Sequence, residues 1–210
     1  MFQKQTEEVL NFLKEKGVIN IGGFNKLRGA NNPTPIMINY HRLYQPDVTS
    51  FIAERMAEKI LHQNLGGIIK IACSVQGDVI AYEVAKKMNA PLIMLSYIEG
   101  PYYAKPNENI YFIRDVIETG RGSARAIEKI TRRDVCPINV ICMFDYRMHL
   151  STKTFMAPKA ENDEPQKTGI QIKSLVNINH LAEKEPAVEE WMGVNLHLFG
   201  KGNRYIPGQS

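Results

Sequence analysis

The sequence predicts an α/β fold, with a mostly parallel central sheet, helices on both faces and a small N-terminal hood. Three observations support this: strand-like and helix-like segments alternate from Gly67 onward, the connections are short, and the strand-like segments are continuous apolar runs. Continuous apolar strands are typical of parallel sheets, because both faces of such sheets are covered. Ligands of these folds bind at the carboxyl ends of the strands.

Apolar spacing and turn residues predict the helices and strands of the first half of the chain. Thr6 caps a first helix that ends at Gly17, and Ile19 and Ile21 alternate with polar or small residues as in a short strand. A turn-rich stretch follows, because glycine, asparagine and proline dominate it. The remaining elements of this half are a strand over 36–40, a helix over 46–60, a strand over 67–73, a loop over 74–78, a helix over 79–88 and a strand over 91–95.

The second half continues the same alternation. Four apolar residues over 110–113 predict a buried strand, and the Arg114-Asp115 pair follows it. We expect a helix over 124–133, strands over 136–144 and 170–176, and a last helix over 187–192. The polar stretch 151–167 is expected to be an exposed loop.

Length and composition indicate one ordinary globular domain. The 210 residues are enough for a sizeable core, so we expect a single domain over 1–210, with a hood segment over 1–45 and a loose tail over 199–210. The net charge of +4 is mild and the basic residues are scattered, which argues against a nucleic-acid partner.

Cysteine usage and the absence of long apolar runs indicate the compartment. The three cysteines, Cys73, Cys136 and Cys142, lie in apolar runs without CxxC spacing, which favours buried thiols in a reducing compartment. No apolar run approaches the ~18 residues of a membrane span. The N-terminus has no apolar signal-peptide core, so the sequence predicts a cytoplasmic protein without a membrane partner.

A strand, a glycine-containing turn and a helix follow one another over 110–130. The turn consists of Glu118, Thr119, Gly120, Arg121, Gly122 and Ser123. Backbone N–H groups at a helix N-terminus favour an anion, and the Thr119 and Ser123 hydroxyls add donors. The segment therefore predicts a phosphate site, although a plain turn with an N-cap has the same pattern.

Three segments are expected to share one edge of the sheet, because each follows a predicted strand. They are Asp115, the loop 74–78 and the stretch 145–147. Since the carboxyl ends of parallel strands meet at one edge, the sequence groups these segments into one candidate site. For Asp115 itself, helix capping or pairing with Arg114 is the alternative to ligand binding.

The 110–123 segment resembles the phosphoribosyl pyrophosphate motif of type I phosphoribosyltransferases. In that family two acidic residues hold the ribose hydroxyls, and the loop that follows holds the 5′-phosphate. Asp115 matches the second acidic residue, and Thr119 and Gly120 match the loop. Arg114 stands where the family has its first acidic residue.

The rest of the chain is similar to orotate phosphoribosyltransferases over nearly its whole length. The matching segments, in chain order, are 24–29, 34–39, 72–77, 142–145, 168–176, 180–181 and 185–190. The resemblance implies transfer of ribose-5-phosphate from phosphoribosyl pyrophosphate to a pyrimidine base, with Mg²⁺ as cofactor. It also implies a homodimer.

The resemblance also implies a set of site residues. Asp115, Lys26 and Arg28 are the candidates for the catalytic centre, although the two cations could be solvated loop residues. Asp115 would meet the metal only indirectly, through ribose and water. The remaining candidates are Arg114 and Glu118 to Ser123 for ribose phosphate, Cys73, Ser74, Val75, Gln76 and Gly77 for pyrophosphate, and Met37, Ile38 and Arg147 for the base.

Departures from the family pattern keep two other functions open. Lys105 is the only cation over 96–109, where the family has a basic loop, and Arg114 replaces a carboxylate. Both favour a non-catalytic paralogue that binds a nucleotide or phosphoribosyl ligand. Met37 and Ile38 stand in place of aromatic residues, which favours a phosphoribosyltransferase for another base.

Overall fold

A computed structural model describes most of the chain. The described residues are 2–25, 33–64, 66–75, 77–105, 107–118, 121–127, 129–132, 138–146 and 171–199. The helices are α1 Phe2–Glu15, α2 Tyr40–Leu43, α3 Pro46–Leu61, α4 Asp78–Met88, α5 Arg121–Ile127, α6 Ile178–Ala182 and α7 Pro186–Val194. The strands are β1 Ile19–Asn25, β2 Thr34–Ile38, β3 Ile68–Cys73, β4 Leu92–Met94, β5 Tyr102–Ala104, β6 Glu108–Ile117, β7 Ile130–Arg132, β8 Ile138–Asp145 and β9 Gln171–Asn177.

The central sheet confirms the predicted fold class. Its five strands run in the order β4-β3-β6-β8-β9, and every neighbouring pair is parallel. The middle strand, β6, has ten residues and is buried along almost its whole length. Apolar side chains on both faces suit a strand at the centre of a covered sheet.

Two hydrophobic clusters cover the two faces of this sheet. Tyr111 and Ile113 of β6 pack in the larger cluster, which also holds residues of α1, α3, α4 and α7. Ile110 and Phe112 pack in the smaller cluster with residues of β5, α5 and β7. Over 110–113, successive residues of β6 therefore face opposite sides of the sheet, as the pleat requires.

The N-terminal strands form a separate two-stranded sheet. β1 and β2 pair antiparallel, with Ile19 opposite Ile38 and Ile21 opposite Ile36. Ile19, Ile36 and Ile38 belong to the larger core cluster, so the hairpin is packed onto the domain.

Several predicted boundaries are wrong at the N-terminus. α1 begins at Phe2, so Thr6 lies inside the helix rather than at its cap, while Gly17 follows its end with φ +66°. β2 ends at Ile38, because the side chain of Asn39 accepts the Arg42 N–H at 3.1 Å and caps α2.

The predicted helix over 124–133 is also wrong in its second half. α5 ends at Ile127, and Ile130–Arg132 forms β7, which pairs in parallel with β5. Ile130 is only 5% exposed in the smaller cluster. Pairing with β5, together with this burial, accounts for the strand.

The predicted burial of the cysteines is confirmed for the two that the structure describes. Cys73 and Cys142 are buried as expected, and Cys136 lies outside the described residues.

Phe199, where the loose tail was expected to begin, is buried and packs edge-on against Trp191 at 6.2 Å between ring centroids. In the described ranges, no helix is long and apolar enough to span a bilayer.

Candidate functional site

The loop after β3 is in direct contact with β6. The guanidinium Nη1 of Arg114 donates to Ser74 Oγ at 2.9 Å. Gly77 has φ +89°, and a Cβ placed on it would lie 3.1 Å from the Asp115 nitrogen and 3.2 Å from the Arg114 Cα. Glycine is therefore required here for both conformation and close approach. The structure thus brings Ser74, Gly77 and Asp115 together, as the sequence predicted.

The third predicted segment reaches the same edge. Asp145 is the last residue of β8 and is paired with Ile117 in the sheet register. The N–H of Tyr146 donates to the Ile117 carbonyl at 3.0 Å. Arg147, the base-side candidate, lies outside the described residues.

The N-terminus of α4 opens onto this edge. Gly77 is its N-cap and supplies no side-chain hydrogen bond, while Asp78 Oδ1 accepts the Val79 N–H at 2.8 Å. The positive end of this eleven-residue helix thus lies next to Ser74 and the Arg114 guanidinium. Together these groups favour an anionic ligand at the loop predicted for pyrophosphate.

Asp115 is buried and both of its carboxylate oxygens accept hydrogen bonds. The Tyr44 hydroxyl donates to Oδ2 at 2.9 Å, and the Val116 N–H donates to Oδ1 at 2.7 Å. Only 4% of Asp115 is exposed. The residue lies within β6, two positions before its end, rather than after the strand as the sequence predicted.

Three tyrosines that were not predicted as site residues lie around Asp115 and Glu118. The rings of Tyr40 and Tyr44 lie 6.4 Å apart. Burial first, and then the charges of Asp115 and Glu118, raise the pKa of Tyr40 to about 12. Burial and nearby negative charge also raise the pKa of Tyr44 and Tyr146. All three hydroxyls are therefore protonated donors at neutral pH.

The spacing of two of these tyrosines in the sequence indicates that their side chains lie close together. Tyr40 is the last residue of the predicted strand over 36–40 and Tyr44 lies four residues further on, a spacing that places side chains on one face of a helical turn. The expected continuation of the strand to Tyr40 obscured this signal.

Arg114 and Asp115 bind different parts of the molecule. Successive residues of a strand alternate, and their neighbours Phe112 and Ile113 belong to different core clusters. Asp115 binds Tyr44, which packs against the larger cluster together with Ile113, whereas Arg114 binds Ser74. Arg114 is 8% exposed.

The predicted ribose-phosphate turn is described only in part. Glu118 is at the surface, yet partial desolvation raises the pKa of its carboxyl group. Ser123 is buried in α5, and Gly122 has open space where a Cβ would stand. Thr119, Gly120 and the side chain of Arg121 lie outside the described residues.

Two candidates for the pyrophosphate loop differ in their exposure to solvent. Cys73 is fully buried, and burial raises the pKa of its thiol to about 11. Val75 is exposed and donates its N–H to Ser96 Oγ at 3.2 Å.

Of the candidates for the base, Ile38 is buried in the core, while Met37 is 36% exposed. Lys26, Arg28 and Gln76 lie outside the described residues.

The segment between β4 and β6 forms part of the fold. Tyr102–Ala104 is strand β5, and the N–H of Tyr102 donates to the Lys129 carbonyl at 2.7 Å. The Lys70 ammonium binds both the Tyr102 hydroxyl and the carboxylate of Glu108, the first residue of β6. These contacts hold the segment against the amino end of β6. Lys105, its single cation, is exposed.

Comparisons with known proteins point to one family. No protein-family profile matches the chain. The orotate phosphoribosyltransferase of Thermoanaerobacter sp. is 28% identical over 130 residues, covering 59% of this chain and 66% of that protein, just under two thirds of its length.

Solved structures show the same fold. UMP synthase of Leishmania donovani superposes with a TM-score of 0.62 at 22% identity, covering 89% of this chain and 42% of that one. Orotate phosphoribosyltransferase of Aeropyrum pernix gives 0.58 at 18% identity, covering 84% and 98%. Adenine phosphoribosyltransferase of Leishmania donovani gives 0.55 at 12%, covering 96% and 86%.

Proposed function

We propose that this chain, which has the type I phosphoribosyltransferase fold, transfers ribose-5-phosphate from phosphoribosyl pyrophosphate to a pyrimidine base of the orotate kind. The observation that carries the proposal is the contact between the β3 loop and β6. There a buried carboxylate, Asp115, lies against the N-terminus of α4 at the carboxyl edge of a parallel sheet. The names of the relatives support orotate as the acceptor.

The candidate residues have binding roles in this proposal. Asp115 accepts hydrogen bonds from the ribose hydroxyls, since a carboxylate is a strong acceptor. Ser74 and the first turn of α4 hold the pyrophosphate, and the Thr119–Ser123 turn holds the 5′-phosphate. Positioning of the two substrates supplies most of the rate enhancement, because little covalent chemistry is needed from the protein.

The remaining candidates have roles in the same proposal. Lys26 and Arg28 are proposed to bind pyrophosphate or the carboxylate of the base, and Met37 and Arg147 are proposed to contact the base, whereas Ile38 is buried in the core. The functional unit is a cytoplasmic homodimer.

The donors of this site fit a metal that is bound mainly by the substrate. Within the part of the chain that the structure describes, no group of three or more His, Cys, Asp or Glu residues could hold a metal ion. Mg²⁺ prefers oxygen ligands and keeps waters and substrate phosphates around it. Asp115 would hold it through ribose and water, and bound Mg²⁺ would neutralise charge on the diphosphate.

Calorimetry followed by product analysis tests the proposal. Phosphoribosyl pyrophosphate with Mg²⁺ is titrated first, and orotate is added in the same cell. We expect saturable binding, then heat from turnover and formation of orotidine 5′-monophosphate on chromatography. Uracil and adenine serve as alternative bases. Absence of phosphoribosyl pyrophosphate binding, or of transfer to any base, would refute the proposed activity.

Arg114 favours a second candidate, a non-catalytic protein that binds a phosphoribosyl ligand. The transition state of phosphoribosyl transfer resembles an oxocarbenium ion, and a buried cation on β6 disfavours positive charge nearby. If the chain is a weakened enzyme, Arg114→Asp raises turnover about tenfold by restoring an acidic pair. Unchanged absence of turnover, with retained binding of phosphoribosyl pyrophosphate, supports the non-catalytic candidate.

A further inference from the structure

Asp115 is buried, and a side chain from a distant part of the chain donates to one of its oxygens. Its exposed fraction is 4%, and its two oxygens already accept the Tyr44 hydroxyl and the Val116 N–H. The Val116 amide belongs to the same strand as Asp115, whereas the Tyr44 hydroxyl comes from a distant part of the chain. Because Asp115 is 4% exposed and the Tyr44 phenol already lies 2.9 Å from Oδ2, a ribose hydroxyl that approaches Oδ2 meets the phenol there.

The backbone around Tyr44 is held in place. Leu43 is fully buried, and its carbonyl accepts the Thr49 hydroxyl at 3.1 Å. The N–H of Tyr44 donates to the Tyr40 carbonyl at 3.1 Å. The half-buried Tyr44 side chain is attached to this backbone through rotatable bonds, so a change of rotamer withdraws its hydroxyl from Oδ2.

We propose that the Tyr44 hydroxyl competes with the ribose hydroxyls for Asp115, and so sets the affinity of the site for ribose-bearing ligands. The inference rests on the proposed function, since it assigns the ribose to Asp115. It makes Tyr44 a specificity-determining residue: a ligand must offer a hydroxyl that replaces the phenol, whereas a phosphate alone gains nothing at Oδ2.

The Tyr44→Phe variant tests this competition directly. It keeps the ring and removes only the hydroxyl that donates to Asp115. Calorimetric titrations use ribose-5-phosphate as the ribose-bearing probe and pyrophosphate as the probe without ribose. Because one hydrogen bond to Asp115 no longer has to be replaced, we expect ribose-5-phosphate to bind about fivefold more tightly and pyrophosphate to bind as before.

Two controls separate competition from general effects. Tyr103→Phe makes the same chemical change at an exposed tyrosine of β5 and is expected to leave both affinities unchanged. In an Asp115→Asn background, Tyr44→Phe is expected to give a smaller gain, because the contested carboxylate is gone.

The possible results also separate this inference from the proposed function. Equal or weaker ribose-5-phosphate binding by Tyr44→Phe overturns the competition, and so does absence of binding by both proteins. If Tyr44→Phe binds more tightly while the native chain transfers ribose-5-phosphate to no base, the proposed activity fails and the role of Tyr44 stands.

Discussion

Near each end of β6 a tyrosine hydroxyl donates to a buried carboxylate, but the other partners of the two carboxylates differ. At the amino end the Tyr102 hydroxyl donates to Glu108 at 3.1 Å, and at the carboxyl end the Tyr44 hydroxyl donates to Asp115 at 2.9 Å. Glu108 also pairs with the Lys70 ammonium at 2.7 Å. The hydrogen-bond donors to Asp115 are instead neutral, a phenol and a backbone amide.

This difference separates a structural carboxylate from an exchangeable one. Burial raises the pKa of Glu108, but hydrogen bonds led by Lys70 outweigh it and leave that pKa below its ordinary value. A charged partner therefore secures Glu108 in the fold. Asp115 can exchange its phenol for another hydroxyl without leaving a charged partner behind, which suits a binding site.

Breaking the amino-end cluster gives the largest expected effect. Glu108→Gln removes the partner of Lys70 in a nearly buried pair, so the free energy of unfolding should fall by about 3 kcal/mol in chemical denaturation. Affinity for ribose-5-phosphate should not change. Glu83→Gln, which breaks the surface pair with Lys86, should cost less than about 0.5 kcal/mol. A similar small loss for both variants would show that the Glu108 cluster is not structural.

At the carboxyl end, Gly77→Ala should cost about 2 kcal/mol of unfolding free energy, because it adds backbone strain and a Cβ against the backbone of β6. Gly100→Ala is the matched control, since Gly100 has φ +85° with nothing within 4 Å of a Cβ. The difference between the two variants measures the close approach alone. Equal losses would mean that the β3 loop moves away from β6 freely. Weaker pyrophosphate binding should accompany the Gly77 variant.

Asp115→Asn tests the exchangeable carboxylate. The amide oxygen still accepts hydrogen bonds from protein groups, yet it is a weaker acceptor for ribose hydroxyls, so ribose-5-phosphate should bind about tenfold less tightly. Calorimetry gives the affinity, and thermal unfolding should show a smaller loss of stability than Glu108→Gln. Unchanged affinity would remove Asp115 from the ribose site.

Acid titration gives the smallest effect and concerns Glu108 again. Its folded pKa lies below the ordinary value of 4.5, so its contribution to stability is complete above that pH and is lost as the pH falls through the folded pKa. The unfolding free energy of the native chain should therefore decrease more steeply below pH 4.5 than that of Glu108→Gln. Glu7 and Asp47 also have lowered pKa values, but they are common to both proteins and cancel. Parallel curves would contradict the assignment.

Much of the fold followed from local patterns. The continuous apolar runs of β3, β6 and β8 predicted parallel strands, and the register confirms them. Proline at the first position of α3 and the apolar spacing behind it marked that helix correctly. Such signals lie within a few residues of each other and need no distant partner.

The misplaced elements depend on distant partners. Ile130–Arg132 has helix-compatible residues, but pairing with Tyr102–Ala104 makes it a strand. Likewise, β6 continues through Arg114 and Asp115 because β8 pairs with it up to Ile117. Short apolar runs did not reveal that two charged residues would be buried within a central strand.

The sequence alone determined the parallel sheet and the edge at which Ser74, Gly77 and Asp115 meet, because apolar runs and glycine turns are local and strand ends converge by geometry. Only the tertiary structure decided what each group touches. Tyr44 reaches Asp115 across 71 residues, and Arg114 reaches Ser74 across 40. These contacts depend on how α2 and the β3 loop pack around β6, which no local pattern encodes.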